Sequence, residues 1–210
     1  MISIKNKFLF IHVPKTGGNS VQNVLHHYSD DKITYKGAEI EEPDSVNLER
    51  FGVAYKDTSL SKHSTLDEYR QVFGHELDRL YKFSIIRNPW DRCISYYFSP
   101  HRGSVEWDKN DFIQLVINEI FPMRYFLSLK ADDDFSLNID RLIQFESLSK
   151  HFNEVAERLK IKQITLPHKN KSNKKHYSHY YDKELIDLIH DKFHEDVALG
   201  CYEYRIAKNS

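Results

Sequence analysis

The chain has 210 residues, with Lys+Arg 30 against Asp+Glu 31 and a formal net charge of -1, so no global basic field draws it to nucleic acid and any anion site must be a local cluster. Its length suits one domain over 1–210 with a full core. Cys93 and Cys201 are too few for a disulfide framework, and no apolar run near the start could span a bilayer or direct secretion, so the expectation is a soluble, cytoplasmic protein with reduced thiols.

Phe8 to Val13 is apolar apart from His12 and rich in aromatic and branched residues, the pattern of a strand covered on both faces in a parallel sheet. Pro14 ends it. Val21, Val24, Leu25 and Tyr28 then recur at amphipathic-helix spacing, which sets Lys15-Thr16-Gly17-Gly18-Asn19-Ser20 at a strand-to-helix junction. Unpaired backbone N–H groups and the helix dipole favour a phosphate or sulfate there, the glycines admit it closely, and Lys15 adds a full charge. A nucleotide-triphosphate loop places its glycines before the lysine; the reverse order here counts against a kinase or ATPase loop.

Ser29 to Asn47 is polar with no sustained period and reads as connecting structure, while Leu48 to Lys56, with Phe51, Val53 and Tyr55 in alternation, is a candidate strand. Thr65-Leu66-Asp67-Glu68 has capping-box spacing, so His63 stands in a loop just before a helix and can face a cleft. Tyr81 to Ile86 is the second strong strand; after it Asn88 fits an N-cap, Pro89 the first helical position and Asp91 the first turn. Trp90, Ile94, Tyr97 and Phe98 mark the buried face of that helix, and Arg92, Ser95 and Ser99 another.

Asp111 to Ile120 and Met123 to Leu129 read as helices, and Asp140 to Phe145 as a third buried strand. Ser147 caps a helix carrying Leu148, Phe152, Val155, Ala156 and Leu159, and a basic loop from Pro167 to His176 precedes a last helix, Asp182 to Leu199. This alternation predicts an α/β fold: a mostly parallel sheet with helices on both faces, whose ligands collect at the C-terminal edge of the strands. Lys15 to Ser20, His63, and Arg87 with Ser95 all face that edge. Two separated phosphate grips imply a ligand with two separate phosphate groups.

At these residues the chain resembles a known family. Val13-Pro14-Lys15-Thr16-Gly17-Gly18-Asn19-Ser20 is similar to the 5′-phosphosulfate loop of the sulfotransferases, and Ile86-Arg87-Asn88-Pro89-Trp90-Asp91-Arg92-Cys93-Ile94-Ser95-Tyr96-Tyr97 to their 3′-phosphate segment. Arg141 to Leu148, Leu166 to Ser172 and Asp196 to Tyr204 resemble the carbohydrate branch with the heparan and chondroitin enzymes. The resemblance implies a P-loop-like fold and transfer of a sulfuryl group from 3′-phosphoadenosine 5′-phosphosulfate (PAPS) to a carbohydrate hydroxyl, leaving adenosine 3′,5′-bisphosphate (PAP), with no metal.

It further implies that Lys15 stabilises the leaving oxygen, that Thr16, Gly17, Gly18, Asn19 and Ser20 hold the 5′-phosphosulfate, and that Arg87 and Ser95 hold the 3′-phosphate. His63 is the preferred general base and His75 its competitor. Asn19 stands where the family commonly has threonine, keeping a side-chain donor and the backbone N–H. The basic loop with Lys169, Lys171, Ser172, Lys174 and Lys175 closes over the nucleotide phosphates or binds an acidic glycan; sequence leaves both open.

The alternatives are a small-molecule or nucleotide kinase of related architecture and a non-catalytic module that binds nucleotide or sulfated glycan. Arg87 alone also reads as a strand-end ion pair with Asp91, and the spaced histidines His190 and His194, or His176 and His179, as solvated side chains rather than metal ligands.

Overall fold

The computed structural model describes residues 1–35, 38–39, 53–55, 59–130, 137–162, 166 and 175–207. Its centre is a four-stranded sheet in the order β1-β2-β6-β7. Strand β1 (Ile2–Ser3) is antiparallel to β2 (Phe8–Ile11); β6 (Tyr81–Ile86) and β7 (Arg141–Gln144) follow β2 in parallel. Every residue of β2 is buried, and so is β6 from Lys82 to Ile86, so both faces of the central pair are covered, as their unbroken apolar runs require. Phe8 and Phe10 meet Phe83 across the pair in tilted ring contacts with centroids 6.3 and 5.2 Å apart, each burial contributing about 1.5–3 kcal/mol.

Helices complete the α/β architecture. They are α1 (Gly18–Leu25), α2 (Leu66–Phe73), α3 (Pro89–Tyr97), α4 (Lys109–Asn118), α5 (Met123–Leu127), α6 (Leu148–Arg158), α7 (Lys183–Lys192) and α8 (His194–Gly200). Val21, Val24 and Leu25 of α1, Leu66 and Tyr69 of α2, and Phe152 and Val155 of α6 join the strands in one apolar cluster. A second cluster is helical: Trp90, Ile94 and Tyr97 of α3 meet Phe112 and Val116 of α4 and Leu185 and Ile189 of α7. Among the described residues no helix is long and apolar enough to cross a membrane.

Four expectations are corrected. The stretch read as connecting structure contains β3 (Ile33–Tyr35) and β4 (Ala38–Glu39), which form with β5 (Val53–Tyr55), the strand expected in Leu48 to Lys56, a separate antiparallel sheet. Strands this short have no internal period to read. The last helix is two helices, broken at Phe193 with φ -115 and ψ 27. Ser147 occupies the N-cap of α6 without a side-chain cap bond, because a 3-10 turn over Phe145–Ser147 leads into the helix. Arg92, assigned to a different helix face from the core residues, is 1 % exposed.

Candidate active site

Parallel pairing aligns the strand ends. Ile11 lies beside Ser84, and Ser84 beside Leu142, so two residues further on Val13, Ile86 and Gln144 are level. The segments that follow, beginning at Pro14, Arg87 and Phe145, therefore leave the sheet at one edge, where open parallel sheets hold their ligands.

The first of these is the glycine loop. Gly17 is the N-cap of α1 at φ 85, and Lys15 adopts φ 64, a left-handed conformation that costs an L-residue about 1–2 kcal/mol. The loop is pressed between two rings: a Cβ on Gly18 would lie 2.2 Å from the His12 ring, and one on Gly17 would lie 2.7 Å from the Phe145 ring. No acidic residue occupies the first turn of α1, so nothing there offsets the positive end of its dipole. Thr16 is fully buried and its hydroxyl donates to the Val13 carbonyl at 2.9 Å, so it braces the loop with its side chain and offers a ligand its backbone. Ser20 is buried, and the Asn19 Oδ1 is a buried polar atom without a hydrogen-bond partner.

Lys15 Nζ donates to Ser99 Oγ at 2.9 Å, and that oxygen lies 2.8 Å from His101 Nδ1. Ser99 lies just beyond α3, at the start of a 3-10 turn over Pro100–Arg102, and is 1 % exposed, so the ammonium is directed by a buried hydroxyl.

The helix start expected after β6 is present. Asn88 caps α3 by accepting from the Trp90 and Asp91 amides, with Pro89 at the first position. Arg87 is buried, and its Nε and Nη2 donate to one Asp91 oxygen at 2.8 and 2.6 Å. Its Nη1 donates to the Lys15 carbonyl at 2.9 Å, and the guanidinium lies 4.1 Å over the Phe145 ring. The strand-end ion pair with Asp91 is thus present. Among the described residues these three bonds use three of the five guanidinium N–H donors. Ser95 is half-buried in the second turn of α3.

His63 is placed by its helix. Thr65 and Glu68 form the reciprocal capping box, with Thr65 N donating to Glu68 at 2.6 Å and Glu68 N to Thr65 Oγ1 at 3.2 Å, a device worth ~1 kcal/mol. This fixes the start of α2 and the entry of the preceding loop. His63 Nδ1 donates to the His12 carbonyl at 2.9 Å, and the two rings meet edge to face at 4.8 Å. A carbonyl only accepts, so Nδ1 carries the proton and Nε2 the lone pair. Burial, with the charges of Lys62, Lys15 and Arg92, lowers the His63 pKa to about 3. Burial first, then Lys62 and His63, also holds His12 well below the usual imidazole value. His75 stands apart, 99 % exposed and 3.1 Å from Asp78, before β6 begins.

Lys175 is exposed and lines, with Arg87, Gln144, Tyr177, Tyr202 and Arg205, a cleft of about 660 Å³ at the same sheet edge. Lys171 and Ser172 lie outside the described residues. Of the spaced histidines, His190 and His194 fall on two different helices, and among the described residues no group of three or more His, Cys, Asp and Glu comes together. Cys93 and Cys201 are free thiols, and burial pushes the Cys93 pKa up to about 12, so it is inert.

Sequence reasoning did not find the contacts of Phe145, Ser99 and His12. Phe145 had one signal, its position directly after a strand at the ligand edge; Ser99 and His12 act through contacts across 84 and 51 residues of chain.

The model of a family described as the sulfotransferase family matches residues 1–204. No curated protein and no solved structure matches the chain.

Proposed function

The chain belongs to the sulfotransferase family, and from that premise we propose that it moves the sulfuryl group of PAPS to a carbohydrate hydroxyl, with 1–210 acting as one domain. The observation that carries this reading is the Arg87 bridge: one side chain at the second strand end holds the Lys15 carbonyl of the glycine loop, so two phosphate grips form one framework. A ligand with two separate phosphate groups matches it better than a triphosphate. The cleft beside Arg87 is of the size that takes a nucleoside.

The residues present fit this donor. The backbone of Thr16, Gly17, Gly18 and Asn19, with Ser20 in the first turn of α1, would hold the 5′-phosphosulfate; Arg87 and Ser95 would hold the 3′-phosphate. Lys175, in the cleft with Arg87, would meet a phosphate of the nucleotide, a role proposed for Lys171 and Ser172 as well. The donor supplies a sulfur atom whose bond to the 5′-phosphate oxygen breaks as a bond to the acceptor oxygen forms. His63 Nε2 takes the acceptor's hydroxyl proton, and the Nδ1 bond to the His12 carbonyl keeps that lone pair available. Lys15 leaves Ser99 to compensate the charge that develops on the 5′-phosphate.

A pKa near 3 keeps His63 neutral at working pH but makes it a weak base. The charges that depress it, Lys62, Lys15 and Arg92, are cations that a bound phosphosulfate would offset, which raises the basicity of His63 when the donor is in place.

The reading is tested by incubating the protein with sulfur-labelled PAPS and a panel of polysaccharides and small glycans. Label transfer to a glycan is expected, and its loss in Lys15→Ala. Phosphate transfer from ATP with magnesium, with no sulfuryl transfer, would overturn it.

A further inference from the structure

Arg92 belongs to neither phosphate grip, yet it is among the largest fully buried side chains in the protein. A buried guanidinium is costly unless its charge and donors are compensated. Arg92 has no carboxylate hydrogen-bond partner among the described residues. Its Nε donates to the Pro14 carbonyl at 3.0 Å, its Nη1 to the Phe121 carbonyl at 2.9 Å, and its Nη2 is buried without a partner. Tyr96 lies 5.9 Å from its centre.

The two carbonyls locate its effect. Pro14 immediately precedes Lys15, whose own carbonyl is held by Arg87. Consecutive carbonyls of the glycine loop are therefore gripped by two arginines from the α3 junction, one at the strand end and one a turn into the helix. Lys15 between them is in a strained left-handed conformation, which persists only where its surroundings over-determine it. Phe121, at the far end of the Arg92 fork, directly precedes Pro122 and the start of α5, so the guanidinium ties the loop to a second element of the fold.

We propose that Arg92 is a positioning residue for the anion loop: by fixing the Pro14 carbonyl against that of Phe121 it sets the conformation of Lys15 and so the affinity of the loop for the donor's 5′-phosphate. This rests on the donor reading above. The planar fork reaches two carbonyls at once. A lysine, with one nitrogen, keeps the charge and loses that geometry.

The test separates the two ends of the donor. Adenosine 5′-monophosphate and adenosine 3′-monophosphate are titrated calorimetrically into the wild-type chain and into Arg92→Lys, with thermal unfolding of each as a folding control. The expected result is weakening of the 5′-monophosphate by about tenfold or more, the value of a charge-assisted hydrogen bond, with the 3′-monophosphate changed less than about twofold. Equal weakening of both, or of neither, would overturn the assignment. Should Arg92→Lys not fold, Arg92→Gln, which keeps an amide donor, is measured instead with the same expectation; failure of both to fold assigns Arg92 to the core and overturns the proposal. A wild-type chain that binds neither nucleotide refutes the donor reading itself, a result distinct from a selective or unselective effect of the variant.

Discussion

His63 donates from Nδ1 to the backbone carbonyl of His12, 51 residues earlier in the chain, and so presents Nε2 as its lone pair. The carbonyl belongs to the segment that leads from β2 into the glycine loop, which couples the proposed base to the anion cradle through one hydrogen bond. A base fixed in this way has a single usable tautomer, and its orientation follows the loop.

Replacing His63 by Ala is expected to lower turnover by about 10²–10⁴-fold, the usual contribution of a positioned general base. PAP affinity should stay within a few-fold, since His63 touches neither phosphate grip. Steady-state kinetics with calorimetric binding of PAP checks both; full activity in this variant would move the assignment elsewhere.

Gly18→Ala is expected to damage the loop more than an ordinary helix substitution, because its Cβ would meet the buried His12 ring at 2.2 Å. Overpacking of this kind costs about 1–3 kcal/mol, readable as a lowered unfolding temperature together with weaker PAP binding. Gly17→Ala adds backbone strain at φ 85 to its clash with Phe145. The same measurements should show it to be at least as harmful.

Arg87→Lys should weaken binding of the 3′-phosphate by tenfold or more, since the fork that serves Asp91, the Lys15 carbonyl and the ligand at once is lost. Titration with adenosine 3′-monophosphate reads this directly. An unchanged affinity would reduce Arg87 to the structural ion pair with Asp91.

The pH dependence of stability follows from the buried His12 and the half-buried His63. The folded pKa of His63 is depressed to about 3 and that of His12 lies well below 6.5, so between those values and 6.5 the unfolded chain binds more protons than the folded one. Stability is then complete above pH 6.5 and declines as pH falls toward 3, by about 1.4 kcal/mol per pH unit for each histidine that charges only on unfolding. Urea unfolding between pH 4 and 8 checks it. His63→Asn should flatten the decline, and an unaltered slope would contradict the neutral state of this half-buried side chain.

What was legible in the sequence was legible for local reasons. The Thr65–Glu68 box and the Asn88–Pro89 start bind side chain to backbone within one turn, so spacing alone reveals them. The buried runs of β2 and β6 carry their own signature for the same reason. In the antiparallel sheet β3 pairs with its chain neighbour β4 and with the more distant β5, and strands this short carry no period of their own to announce them.

The break at Phe193 was hidden because Leu185, Ile189, Phe193 and Val197 keep an unbroken four-residue spacing across two helices. Arg92 was set on a helix face apart from the core residues, and its burial there depends on two carbonyls supplied by distant loops. At the candidate site, residue types and chain order singled out Lys15, His63 and Arg87 for the proposed roles. The supports that orient them, Ser99, Phe145 and the His12 carbonyl, arise only from tertiary proximity.

The central claim is that the two strand-end grips form one clamp for a nucleotide bearing separate 3′- and 5′-phosphates. Thermal unfolding with PAP, adenosine 5′-monophosphate, or ATP plus magnesium tests it most directly, because a ligand at a hundred times its dissociation constant adds about 2.7 kcal/mol of stability. At equal concentrations the clamp predicts the largest rise in unfolding temperature with PAP, a smaller one with the monophosphate, and for PAP a rise that collapses in Arg87→Lys. Stabilisation by ATP plus magnesium with none by PAP would contradict it.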